Sequence, residues 1–121
     1  NGSFVDKAAG QKNVDRIVYV ALGRYEIRSD CESVMEAGSR LLKATPAQKV
    51  VIEGHTEDRV GRESNLALGQ RRAEAVRRSL GLLGVTDNQV EAVSFGKEKP
   101  AVQGSDENAM AQNRRAEIAY R

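Results

Sequence analysis

Gly54-His55-Thr56-Glu57-Asp58-Arg59-Val60-Gly61-Arg62-Glu63-Ser64-Asn65-Leu66-Ala67-Leu68-Gly69-Gln70-Arg71-Arg72-Ala73-Glu74-Ala75-Val76 follows directly on a short strand, Lys49 to Glu53. Val50, Val51 and Ile52 give that strand a continuous apolar run. The next residues are polar and punctuated by Gly54 and Gly61, which reads as a loop. Leu66, Gly69, Ala73, Val76, Leu80 and Leu83 then recur at helical spacing, marking one stripe of a long basic helix that stops at Gly84. Strand, polar loop and long helix together predict half of a βαβ unit.

Working outward, Ile17 to Leu22 is an apolar run of strand length. Ser29 with Glu32 three residues later has the form of a capping box. Behind it Cys31, Val34, Met35, Gly38, Leu41 and Leu42 follow a helical period until Thr45-Pro46 ends the helix. Val90 to Phe95 reads as a third strand. Ala116, Ile118 and Tyr120 alternate with Glu117 and Ala119 in a fourth, reached through a loop. The order predicts an α/β, or α+β, sandwich of the form βαβαβ-loop-β, with helices packed on a mixed four-stranded sheet. Residues 1–15, aperiodic and bearing Gly and Lys, are expected to be a flexible lead-in, and residues 16–121 the domain. A right-handed crossover sets the start of each helix at the end of the sheet where the loops leave strands one and two, so function is expected there.

Composition excludes several classes. With 121 residues and 40% hydrophobic content, one small core is expected. Nineteen basic against seventeen acidic residues leave +2, too little and too dispersed to predict a nucleic acid partner. Three Tyr, two Phe and no Trp offer no stacking platform. One cysteine excludes an internal disulfide. No apolar run reaches the ~20 residues of a transmembrane helix, and no signal-peptide pattern is present, so any lipid anchor is expected upstream of residue 1. No Cys/His cluster has metal spacing, and Gly54, Gly61 and Gly69 form no phosphate-binding loop. Neither a metal nor a cofactor is predicted.

From Arg16 to Tyr120 the chain resembles the OmpA-like peptidoglycan-binding domains, in particular their peptidoglycan-associated lipoprotein (Pal) branch. Asn65, Leu68, Arg72, Ala73 and Val76 match the family helix. Val90 to Pro100 resembles the stretch after that helix, and Gln112 to Ile118 the closing strand. The resemblance implies non-catalytic binding of the peptidoglycan stem peptide through its diaminopimelate residue, anchoring the outer membrane to the cell wall from its periplasmic face. It also implies the Tol-system β-propeller protein as a partner. Arg72 would grip a carboxylate through parallel N–H donors. Asn65, two helical turns earlier, would brace the loop or ligand. His55, Thr56, Glu57 and Asp58 complete the implied ligand set, with a loop carboxylate taking the ammonium.

The chain departs from the family pattern around the same site. Val20-Ala21-Leu22-Gly23 stands where relatives read Phe-Asp-Phe-Asp, so the acid at 21 is absent. Glu57 stands where an Asp is expected and is followed by Asp58, as if the two acids had been exchanged, while Val60 replaces a Gly, Ser64 a Tyr, Gly69 a frequent Ser and Cys31 an aromatic residue. Two lost charge-assisted bonds of ~1.5–3 kcal/mol each would weaken binding by roughly 10²- to 10⁴-fold. The shared direction of the changes supports a second reading, a laboratory-rebuilt scaffold. Its only Cys and only His, Cys31 and His55, would then form an ester-hydrolysing dyad. Against that reading, Cys31 lies on an apolar stripe, as small buried thiols commonly do. The remaining alternative is an inert scaffold.

Overall fold

The computed structural model describes residues 16–20, 24–58 and 61–121. The expected lead-in at 1–15, the end of the first apolar run at Ala21 and Leu22, and the substituted Val60 lie outside them. Strands β1 (Ile17–Tyr19), β2 (Val50–His55), β3 (Val90–Gly96) and β4 (Arg115–Tyr120) alternate with helices α1 (Glu32–Ala44), α2 (Arg62–Leu82) and α3 (Glu107–Asn113). The sheet order is β1-β4-β2-β3. β4 is antiparallel to both β1 and β2, and β3 is parallel to β2. The sheet is mixed, as predicted.

Alternation along the strands divides the sheet. Val18, Val50, Ile52, Ala116, Ile118 and Tyr120 meet Val34, Met35 and Leu42 of α1 and Ala73, Val76 and Leu80 of α2 in one core. Gly54 lets α2 come close: a Cβ there would lie 1.7 Å from the Gly69 carbonyl oxygen. At Gly69 a Cβ would lie 2.3 Å from Ser94 Oγ, so Ser94 fills the room a side chain at 69 would need. Gly84, at φ +104°, ends the α2 region as its place in the sequence predicts. At the C-terminus of α1, the Gln89 amide donates to the carbonyls of Leu42, Thr45 and Gln48.

Two local expectations fail. Ser29 does not cap α1. It opens a 3₁₀ turn, Ser29–Cys31, and neither that turn nor α1 has a side-chain cap. Ser29-x-x-Glu32 has the three-residue spacing of a capping box, but three residues is also the 3₁₀ repeat. Between β3 and β4, where a loop was expected, lies α3. Asp106 caps it, accepting from the Ala109 amide at 2.8 Å.

Candidate functional site

One end of the sheet gathers the exits of β1, β2 and β3 and the start of α2. Arg72, nearly three turns into α2 and 1% exposed, spans it. Its Nε donates to the Arg24 carbonyl at 2.8 Å and its Nη1 to the His55 carbonyl at 2.9 Å. The guanidinium therefore ties the segment after β1 to the end of β2. Burial, with Arg114 adding and Glu57 opposing, lowers its pKa to about 10, which still leaves it cationic at neutral pH. Asn65 is buried in the first turn of the same helix, against Gly96.

Thr56 follows β2, and its amide donates to the Gly96 carbonyl at 2.8 Å. Its hydroxyl is buried and has no hydrogen-bond partner among the described residues. Glu57 turns inward, 4% exposed, and accepts from Arg114 Nη1 at 2.7 Å, while Nη2 of the same guanidinium donates to Glu107 at 2.7 Å. Burial alone would lower the Arg114 pKa, but the bonds and charges of Glu57 and Glu107 outweigh it and raise it. Asp58 is exposed and pairs with Lys97 at 3.1 Å. Of the two loop acids, Glu57 is thus engaged in a buried ion pair and Asp58 faces solvent. Nothing in the sequence names Arg114 as the Glu57 partner, since 57 residues separate them and the intervening α3 was read as loop.

His55 ends β2 on the opposite side of the sheet from Arg72. Gly54 faces α2, so its neighbours Glu53 and His55 face away. The ring stacks on Phe95, with centroids 5.5 Å apart. Burial first, then the nearby Arg115 and Lys99 charges, lower its pKa to about 4 against an opposing Glu117, so the ring is neutral at physiological pH. Ligand atoms of Glu53, His55 and Glu117 lie within 4.8 Å of one another. Spacing along the chain does not disclose this grouping, because it joins two strands distant in sequence.

Cys31 is in the core with Val34 and Met35. The sheet separates it from the His55 ring, so the fold does not bring the proposed Cys31–His55 dyad together. Native-state reaction of Cys31 with a thiol reagent is expected to be slower than in denaturant by about tenfold or more, because the thiol must open to solvent first. Equal rates would place the thiol on the surface.

With this geometry in place, known proteins supply the family. The model of the OmpA family matches residues 21–114. The chain belongs to the OmpA family. Among OmpA-family relatives, the peptidoglycan-associated lipoprotein of Pasteurella multocida is 50% identical over 103 residues, 85% of this chain and 69% of that protein. The Pseudomonas aeruginosa protein of the same name is 42% identical over 118 residues, 98% of this chain and 68% of the other. The crystal structure of the peptidoglycan-associated lipoprotein from Burkholderia pseudomallei superposes with a TM-score of 0.87 at 48% identity, covering 88% of this chain and 91% of that one. The C-terminal domain of Helicobacter pylori MotB, 23% identical over 89% of this chain and 84% of that one, shares the OmpA-family fold at a TM-score of 0.80. Among the described residues, no helix is long and apolar enough to cross a membrane.

Proposed function

We propose that this domain binds the stem peptide of peptidoglycan through its diaminopimelate residue, without catalysis, and so holds an outer membrane to the cell wall from the periplasmic face. The observation that carries the reading is the Arg72 clamp. A buried guanidinium ties the segment after β1 to the end of β2, beside the first turn of α2 and a Thr56 hydroxyl that has no hydrogen-bond partner among the described residues. Diaminopimelate ends in a carboxylate and an ammonium side by side. Cationic and N–H donors at a helix start suit the carboxylate, and Asp58 suits the ammonium. The name shared by the relatives from Pasteurella and Pseudomonas, peptidoglycan-associated lipoprotein, supports peptidoglycan as the ligand.

The buried Arg114 pair withdraws Glu57 from the ligand, which supports binding weaker than two loop carboxylates would give. Membership of the Tol-system complex, through its β-propeller protein, is part of the same proposal. No described arrangement favours ester hydrolysis or a rebuilt catalytic site.

Co-sedimentation with purified peptidoglycan tests the reading. The unmodified chain is expected in the pellet. Arg72→Ala should reduce binding by about tenfold or more, the equivalent of one charge-assisted bond. Because Arg72 is buried, Asp58→Asn provides the control that keeps the fold. It should lower binding several-fold with an unchanged melting temperature, since its pair with Lys97 is exposed. An unmodified chain that stays in the supernatant at saturating peptidoglycan refutes the proposal.

A further inference from the structure

We propose that Glu53, His55 and Glu117 form a divalent-cation site of the zinc class on the face of the sheet turned away from α2. Three observations carry this, and none depends on the peptidoglycan reading.

The first is placement. β2 and β4 are the two central strands, and in their antiparallel register Glu53 stands directly opposite Glu117, with His55 opposite Arg115. That ladder runs through His55 without a shift, so all three side chains share one face. One ligand atom from each lies within 4.8 Å of the others. A cation with bonds of roughly 2.0–2.2 Å can reach donors spaced this way with small side-chain adjustments.

The second is electrostatic. Two carboxylates directly across a central antiparallel pair repel each other, and both are partly withdrawn from water, with side-chain exposures of 19% for Glu53 and 34% for Glu117. Cations stand nearby. Arg115 Nε donates to Glu117 Oε2 at 2.6 Å, Arg121 lies 3.9 Å from Glu53, and Lys99 sits over the Phe95 ring at 4.0 Å. Arg115 is fixed in turn by the carbonyl of Lys99 at 3.0 Å, so it orients the Glu117 carboxylate as an outer partner of a metal ligand does. These charges keep the expected affinity below that of a closed structural zinc site.

The third is His55. The side chain is 2% exposed, and among the described residues neither ring nitrogen has a hydrogen-bond partner. Nε2 points toward Glu53, with Oε1 at 3.5 Å, and the Phe95 stack holds the ring plane. A buried imidazole aimed between two carboxylates has the form of a metal ligand. One imidazole with two carboxylates suits zinc or cobalt, whereas magnesium and calcium prefer oxygen donors throughout. Three protein ligands leave the remaining positions to water. The ion would brace β2 against β4 beside the end that carries the loop of Thr56 to Asp58.

The test uses the untagged chain and zinc chloride or cobalt chloride alone, at neutral pH. Calorimetric titration should give one zinc per chain, undisturbed by excess magnesium. Glu53→Gln and Glu117→Gln, with native circular dichroism, should each lower the affinity by at least about tenfold. As the only histidine, His55 offers ring proton resonances that should shift on zinc addition and broaden with cobalt. Absence of zinc uptake overturns the proposal. So does uptake that leaves the His55 resonances unmoved, or that both Gln variants retain at full affinity, because the ion would then be bound elsewhere.

Discussion

Gly54→Ala is expected to destabilise the domain by about 3 kcal/mol or more, at the upper end of what overpacking costs. The new methyl would lie 1.7 Å from the Gly69 carbonyl oxygen and 2.5 Å from its carbon. Both are backbone atoms, so no rotamer change relieves the contact. Either α2 lifts from β2 or the strand shifts. Lifting α2 opens the core at Ala73, Val76 and Leu80, all 1% exposed or less. Urea titration monitored by circular dichroism should show a lowered midpoint at unchanged slope, and the melting temperature should fall by more than about 10 °C. Gly69→Ala meets a side chain as well as backbone, Ser94 Oγ at 2.3 Å and the Gly54 oxygen at 2.9 Å. Its cost should therefore fall when Ser94→Ala is added, while Gly54→Ala gains nothing from that second change. Equal stability of Gly54→Ala and the unmodified chain would mean that helix and sheet are less tightly apposed than the distances state.

That contact also shows what sequence alone can convey. The stripe from Leu66 to Leu83 announces α2, because a helix buries residues at its own period. The alternation in 116–120 announces β4 for the corresponding reason. Gly54 and Gly69 stood out only as a loop punctuation and a departure from the family pattern. Their shared purpose requires the packing of α2 on β2. The seven residues of α3 escaped because two turns carry too short a period to register, although Asp106 ahead of Ala109 was a usable cap signal.

The site followed the same division. Its location at the loop end of the sheet came from the handedness of the crossovers, and Arg72 from its motif. The motif implied a ligand grip, whereas the fold shows a guanidinium buried against two backbone carbonyls. Distances across strands decide the rest: Glu53 with Glu117, Glu57 with Arg114, and the separation of Cys31 from His55. Each depends on register or on which side of the sheet a residue faces, and one residue of slip would reverse the answer.

Arg114→Met is expected to cost about 3–5 kcal/mol, the range for breaking a buried ion pair by removing one partner. The Arg114 and Glu57 side chains are 9% and 6% exposed, so water cannot replace the 2.7 Å bond to Glu57 that the substitution removes. Glu57→Gln should cost less, about 1–3 kcal/mol, since the Arg114 guanidinium keeps Glu107 at 2.7 Å and the neutral amide can still accept. The double variant should be more stable than the sum of the two single losses implies, with a coupling of roughly 0.5–3 kcal/mol from denaturant titrations. Strict additivity would show that the pair contributes nothing beyond its separate side chains. A functional readout separates anchoring from bulk stability. Glu57 and Arg114 join the loop after β2 to the turn before β4, whose Arg114 carbonyl accepts from the Val20 amide at 3.1 Å. Loss of the pair should therefore loosen the segments on both sides of the proposed ligand. Peptidoglycan binding by Glu57→Gln, measured well below its melting temperature, should fall even though the Gln variant remains folded. If Glu57 instead contacts the ligand directly, Glu57→Gln should lower binding more than Arg114→Met does, although Arg114→Met costs more stability.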